Sequence, residues 1–205
     1  MATSPSLKPN WSMAEELMID FSGNKVVLTV PGNVNADYQN SLEKSVNIYD
    51  GDLTGDWVRF PAADFWWPYQ RRVLLVIPDV FGSLTLAVAV FSPGHRDSHF
   101  GNEAELRAGI TSLYNSAYPS APERIPTVFT KIEVDGVSWL RYVSVDERDH
   151  ESGVNYATAV SSTHFLEFSF GVIEAKERSA ANWYQTAHSD IKKIIHSVKV
   201  IRKSE

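Results

Sequence analysis

Short apolar runs bounded by polar, turn-forming residues recur along the first half of the chain, a pattern typical of strands. Residues 18–21 and 26–30 follow this pattern on either side of Gly23-Asn24, so they predict a β-hairpin. Ser12 and Glu15 have the spacing of a capping box and would also allow a short helix at this point.

The middle of the first half predicts four more strands. Residues 45–49 and 57–60 are the short candidates, and the segment between them is rich in turn formers. Residues 72–77 and 84–91 are nearly continuous apolar runs, which is the pattern of central strands covered on both faces. Residues 78–83 would form the turn between these two strands.

The apolar period changes to that of a helix after Asn102, which is placed as an N-cap with Glu105 at the third helical position. The apolar positions of this helix are Leu106, Ile110, Leu113, Tyr114 and Ala117. A second amphipathic helix follows Ser179 near the end of the chain. Its apolar face contains Trp183, Ala187, Ile191, Ile194 and Ile195.

The second half also predicts two hairpins and a closing edge strand. Asp135-Gly136 is a strong two-residue turn signal for the first of these hairpins. The predicted strands are residues 127–134 with 138–145, residues 155–161 with 164–170, and residues 198–201.

Length and composition favour a single domain. The chain has 205 residues with 43% hydrophobic and 12% aromatic content, enough to form one core. Residues 1–12 are predicted to be a flexible N-terminal arm and residues 13–205 one α+β domain. The expected fold is a mainly antiparallel sheet flanked by helices, an α/β/α sandwich.

The charge balance bears on the partners that the chain can take. Nineteen Lys and Arg against 25 Asp and Glu give a net charge of −6, and basic residues occur in pairs, so no nucleic-acid partner is expected. No apolar run reaches the length of a membrane span, and no secretory leader is recognisable, so we expect no membrane partner and a cytoplasmic location. With no cysteine, thiolate and iron–sulfur chemistry are excluded, and no cofactor is expected.

The common catalytic signatures are absent from the sequence, and we assign no catalytic residue. Residues 50–56 resemble the start of a calcium loop, but Pro61 stands where the bidentate glutamate belongs, so a solvated turn is the better interpretation. The carboxylates of residues 146–151 alternate with basic residues, which indicates a charged hairpin loop.

One segment has the chemistry of a metal site. His95, Asp97, His99 and Glu103 place two imidazoles and two carboxylates within nine residues. On a strand the first three would share one face, but Pro93-Gly94 and the polar surroundings indicate a loop. A polar loop before a helix is therefore favoured over a metal site.

The most unusual segment is aromatic and basic. It contains Phe65, Trp66, Trp67, Tyr69, Arg71 and Arg72. Large rigid rings and arginine dominate protein–protein hot spots, so these residues are candidates for partner binding. The alternative is that some of the rings enter the core. Adjacent Trp66 and Trp67 would point to opposite faces of a strand.

The C-terminal half resembles the PsbP-like fold, which is shared by photosystem extrinsic subunits, a Ran-binding nuclear factor and chaperones of secreted Rhs toxins. The resemblance lies in the order of elements over residues 127–201, in Val134-Asp-Gly-Val-Ser-Trp139 opening a strand, and in the ending Ile194-Ile-His-Ser-Val198. It implies an antiparallel sheet with helices on its faces, and binding rather than catalysis. It carries over no active-site residue.

These observations predict a non-catalytic protein-binding domain, such as a bacterial secretion-associated chaperone or a toxin-neutralising immunity protein. The acidic charge favours a basic protein partner. An exposed edge such as residues 26–30 would also allow a homodimer. The alternatives are a metal-dependent hydrolase that uses His95, Asp97 and His99, and a small-ligand carrier whose pocket is lined by Trp139 and Trp183.

Overall fold

Eleven β-strands and two α-helices make up the part of the chain that the structure, a computed structural model, describes. The described residues are 9–32, 34, 41–50, 55–73, 77–94, 99–145, 151–174 and 181–203. Within these ranges nothing is stated about the side chains of residues 71–73, 77–79, 145, 151, 152, 174, 181 and 182.

The helices and strands are numbered in chain order. In the first half they are β1 (Asn10–Phe21), β2 (Asn24–Gly32), β3 (Ser41–Leu42), β4 (Ser45–Val46), β5 (Trp57–Val73) and β6 (Ile77–Pro93). In the second half they are α1 (Glu103–Ala117), β7 (Phe129–Val134), β8 (Val137–Val145), β9 (Glu151–Ala159), β10 (Phe165–Glu174), α2 (Ala181–Ser197) and β11 (Lys199–Ile201).

The strands form two sheets. The large sheet has the order β3-β5-β6-β10-β9-β8-β7, and every neighbouring pair in it is antiparallel. The small sheet has the order β11-β2-β1-β4, with only β1 and β4 parallel. Because β4 follows β3 after two residues, this short stretch of chain passes from the edge of one sheet to the edge of the other.

The predicted α/β/α sandwich is wrong. Helix α1 covers one face of the large sheet, where Leu106 and Ile110 pack on Phe91 and Phe165. The other face, which we call the inner face, is covered by the small sheet together with α2. The fold is β-rich because alternating strands in the N-terminal half supply a second sheet where the prediction placed helices.

The predicted turn at Asp135-Gly136 and the predicted cap of α1 are confirmed. Asp135 and Gly136, with φ of 50° and 74°, close the hairpin of β7 and β8. The hairpin of β1 and β2 also forms, but Ser22 and Gly23, with φ of 56° and 101°, close it one residue before the predicted Gly23-Asn24. The side chain of Asn102 caps α1 by accepting a hydrogen bond from the backbone N–H of Glu105 at 3.0 Å.

The central strands differ from the prediction. Residues 72–77 are not one strand, and residues 78–83 are not a turn, because β5 runs through the aromatic segment to Val73 and β6 begins at Ile77. The two strands pair along almost their whole length. Pro61 fits into this long strand because the register shifts between Pro61 and Ala63.

The start of the chain also differs. Residues 10–12, predicted as part of the arm, belong to β1, and the alternative of a helix at Ser12 is wrong. Strand β2 is not an edge of its sheet, since it lies between β1 and β11, so the prediction that residues 26–30 form an exposed edge is wrong. The prediction that residues 198–201 form an edge strand is confirmed by β11.

Helix α2 buries the predicted apolar face. Trp183, Ala187 and Ile191 are each at most 8% exposed and belong to the core between the sheets. Ser179, its predicted cap, lies outside the described residues. Neither helix in the described ranges has the length and apolar content that crossing a membrane requires.

Close packing of α2 on β6 depends on Gly82. A Cβ atom at this position would overlap the Trp183 ring and lie 2.6 Å from the Ile173 carbonyl oxygen. We therefore expect Gly82→Ala to lower the free energy of unfolding by about 1–3 kcal/mol in chemical denaturation, through overpacking. Gly55→Ala, where a Cβ meets only ordinary contacts, is the control. Equal stability of the two variants would contradict this packing.

Candidate functional site

The predicted aromatic patch lies on β5, and strand alternation splits it. Phe65, Trp67 and Tyr69 point to the inner face and are 7%, 0% and 3% exposed. The Phe65 and Trp67 rings stack at 5.6 Å, and the Trp67 Nε1–H donates to the Pro31 carbonyl at 3.1 Å. Phe65 and Trp67 therefore pack between the two sheets, while Tyr69 contacts α2.

The rest of the patch does not join them. Trp66 is half-buried on the opposite face of the large sheet, beside Thr85 of β6. The prediction that Trp66 and Trp67 face opposite sides is confirmed. Arg71 and Arg72 belong to β5, but their side chains lie outside the described part of the structure.

The predicted metal segment is described only in part. His95 and Asp97 lie outside the described residues. His99 is exposed, and Glu103 pairs with Arg107 at 2.6 Å and with Lys131 at 3.8 Å. Among the residues that the structure describes, no three His, Asp or Glu side chains could hold an ion together.

A cleft opens between the two sheets where β1 and β3 approach each other. It encloses a cavity of about 320 Å³. Its lining residues are Glu15, Leu17, Val30, Pro31, Gly32, Val34, Leu42 and Phe65. The lining side chains are apolar apart from that of Glu15, an exposed residue and the sole ionisable group among them. Such a cavity accepts apolar side chains, and its carboxylate favours a cation nearby.

Strand β1, one wall of this cleft, is anchored at both ends. At its start, the Trp11 Nε1–H donates to Asp190 Oδ1 of α2 at 2.8 Å. The Tyr69 hydroxyl donates to Asp190 Oδ2 at 2.8 Å, and Lys193 Nζ lies 3.2 Å from Oδ1. At its other end β1 pairs with β4 through Asp20 and Phe21. The wall is therefore held in place before any partner binds.

A second polar group lies on the face of the large sheet that α1 partly covers. Glu167, 7% exposed, accepts a hydrogen bond from the Tyr142 hydroxyl. Tyr114 of α1 packs edge-on against Tyr142, with ring centroids 5.8 Å apart. Burial raises the pKa of Glu167 to about 7, although the Tyr142 hydrogen bond and the charge of Arg59 act in the opposite direction.

Asn155 extends this group along the same face. Its Oδ1 accepts a hydrogen bond from the Ser169 hydroxyl at 2.7 Å, while its fully buried Nδ2 has no partner. Tyr142, Asn155 and Ser169 are neighbours in register on three adjacent strands. The group can bind and release a proton at Glu167, but it is too buried to meet a macromolecule.

His164 holds the β3–β4 region against the large sheet. Its Nε2 lies 2.9 Å from the Ile48 carbonyl oxygen, and its Nδ1 lies 3.1 Å from Ser161 Oγ. Burial lowers the pKa of His164, so the imidazole is neutral at physiological pH and donates from Nε2. This contact has a structural role near one end of the cleft.

The predicted ligand-carrier residues lie in the core. Trp139 and Trp183 are 1% and 8% exposed and pack among other core side chains. The Trp183 ring contacts Tyr69 at 5.7 Å, and the Trp139 ring contacts Phe168 at the same distance.

Of the cleft residues, sequence reasoning found only Phe65, as a candidate for partner binding. Glu15, Leu17 and Ile19 alternate with outward-facing residues, and this period-two signal could have revealed a longer β1. Nothing local could have shown that Leu42 and Phe65 meet Leu17, since the three belong to three different strands.

No protein-family model matches this chain, and comparison with curated proteins finds no match either.

Proposed function

We propose that this chain is a non-catalytic protein-binding domain whose contact surface is the cleft between β1 and β3. The supporting observation is an apolar cavity of about 320 Å³ bordered by β1, which among the described residues is only partly paired on its outer side. Such a surface offers both apolar contacts and backbone hydrogen bonds to a polypeptide. The net charge of −6 and the carboxylate of Glu15 favour a basic partner.

The finer proposal is a secretion-associated chaperone, with a toxin-neutralising immunity protein as its runner-up. A chaperone holds an extended or unfolded segment of its cargo, and a strand edge beside an apolar cavity suits such a segment. An immunity protein instead covers a folded active site, for which a broad convex surface would serve better.

A charge placed in the cleft tests the proposal. Leu42 is half-buried in the cleft lining, and Leu42→Asp would put an unpaired carboxylate where apolar partner groups are expected. We expect this variant to retain the fold but to lose a partner that co-purifies with the tagged wild-type chain, with at least tenfold weaker binding.

The matched control is Val128→Asp, because Val128 is 75% exposed just before β7, the edge strand at the far end of the large sheet from β3. This control should bind the partner like the wild type. Trp66→Ala probes the opposite face of the large sheet. Loss of the partner in Trp66→Ala together with its retention in Leu42→Asp would move the binding surface to that face and overturn the proposal.

A further inference from the structure

Along β1, the backbone N–H and C=O groups of successive residues point alternately toward β2 and away from it. In an antiparallel hairpin with a two-residue turn, the pair flanking the turn, here Phe21 and Asn24, exchanges hydrogen bonds, and every second pair after it does the same. Residues 15, 17, 19 and 21 therefore bond to β2, and residues 16, 18 and 20 direct their N–H and C=O groups away from it.

Two contacts agree with this assignment. The Asp20 N–H donates to the Lys44 carbonyl at 2.9 Å, on the side away from β2. Thr29, the register partner of Glu16, donates its N–H to Ser197 Oγ at 2.8 Å instead of to β1. Both observations indicate that the N–H and C=O groups of Glu16, Met18 and Asp20 point away from β2.

Within the part of the chain that the structure describes, Glu16 and Met18 are the positions of this edge that no strand pairs with. Strand β4 pairs only with Asp20 and Phe21 of β1. The residues just before β4 bond to the large sheet instead, where the Glu43 N–H donates to the Ala62 carbonyl. In the described ranges no other strand pairs with β1 on this side. The side chains of both residues are exposed, with Met18 at 53%.

The cleft is lined by the residues that alternate with this edge, Glu15 and Leu17 of β1. A strand added beside Glu16 and Met18 would alternate its side chains, and those pointing inward would enter the cavity at Leu17, Leu42 and Phe65. Glu15 lines the cavity and Glu16 is exposed on the other face, so both faces of an added strand would meet a carboxylate. Lysine or arginine would complement them.

We infer, as an extension that rests on the proposed function, that the domain captures a basic, extended segment of its partner as an added β-strand. This strand forms hydrogen bonds with the backbone of Glu16 and Met18, and its alternate apolar side chains enter the cleft. Main-chain hydrogen bonds contribute affinity in this mode, and the cavity contributes selectivity. A second copy of this chain is the weaker occupant, because two-fold pairing of β1 edges would bring their acidic residues together.

Proline substitution separates the backbone contact from the fold. Met18→Pro removes an N–H that points away from β2, so the β1–β2 ladder stays complete, and proline is tolerated at such edge positions. Met18→Ala removes the exposed side chain and retains the N–H, and is the matched control. Glu16→Lys reverses the local charge without altering the backbone.

The probe is a fluorescent nine-residue peptide of alternating valine and lysine, compared with one of alternating valine and glutamate. We expect the lysine peptide to bind the wild type and Met18→Ala alike, with at least tenfold weaker binding to Met18→Pro and Glu16→Lys. Hydrogen exchange of the Glu16 and Met18 amides should slow at least tenfold on binding, while that of Leu17 and Ile19 stays unchanged.

The outcomes distinguish the two proposals. If Met18→Pro binds the peptide and the cellular partner normally while Leu42→Asp loses both, strand capture is wrong and the cleft remains the binding surface. If neither substitution matters, both proposals fail. Protection of the Glu16 and Met18 amides in the free protein, together with a dimer in sedimentation, would show that a second copy occupies the edge and overturn capture of a partner segment.

Discussion

Replacement of Trp67 by alanine is expected to lower the free energy of unfolding by roughly 3–5 kcal/mol. The side chain is fully buried, stacks on Phe65 at 5.6 Å and donates a hydrogen bond to the Pro31 carbonyl at 3.1 Å. Its removal leaves a cavity between the sheets and an unpaired carbonyl at the end of β2. Equilibrium denaturation in urea measures the loss.

Trp66→Ala is the matched control, because the two tryptophans are neighbours on β5 and differ in the face that they occupy. Trp66 is only half-buried, so its loss should cost less than half as much. Trp67→Phe keeps most of the ring volume, so its loss of unfolding free energy should fall between the losses of the two alanine variants. Equal destabilisation by both alanine variants would contradict the assignment of Trp67 to the space between the sheets.

Glu167 alone is expected to lower the free energy of unfolding by about 3 kcal/mol as the pH rises from about 4.5 through 7. Burial raises the pKa of this carboxyl from 4.5 to about 7, so in this window the folded chain holds a proton that the unfolded chain releases. The stability that the protonated Glu167 carboxyl contributes is fully present below pH 4.5 and is lost as the pH passes 7. Each tenfold change in proton affinity is worth about 1.4 kcal/mol.

Glu167→Gln should abolish this slope, because an amide can still accept the Tyr142 hydrogen bond but cannot ionise. Glu133→Gln, at an exposed glutamate of β7, should leave the slope unchanged. Because burial lowers the pKa of His164, its protonation in the unfolded chain lowers stability as the pH falls below about 6.5. This effect is the same in every variant and cancels in the comparison. Unfolding free energies at pH 5, 6, 7 and 8 test this, and an unchanged slope in Glu167→Gln would refute it.

Local signals predicted the elements whose chemistry is contained in a few neighbouring residues. Asn102 and Glu105 predicted the start of α1, and Asp135-Gly136 predicted the turn between β7 and β8. These predictions succeeded because a cap or a tight turn depends on the hydrogen-bonding groups and φ preferences of its own residues. The apolar spacing of α2 was reliable for the same reason, since one face of the helix faces the core.

The predictions failed where pairing over long distances outweighed local preference. Residues 57–60 were expected to form a short strand, but β5 continues through Pro61 and the aromatic segment to Val73. Proline and bulky neighbours disfavour a strand locally, yet pairing with β6 and the register shift after Pro61 accommodate them. The helix-flanked sandwich failed because no local signal shows that one sheet packs against another.

The amino-acid sequence by itself determined where α1 begins, where the turn between β7 and β8 lies, and that Trp66 and Trp67 would face opposite sides of a strand, because these properties follow from backbone geometry over a few residues. Only the tertiary structure decided which of those tryptophans is buried, that Leu17, Leu42 and Phe65 line one cleft, and that Glu167 lies where its charge is costly. Such properties depend on contacts between residues distant in the chain, and hence on the order and pairing of the strands.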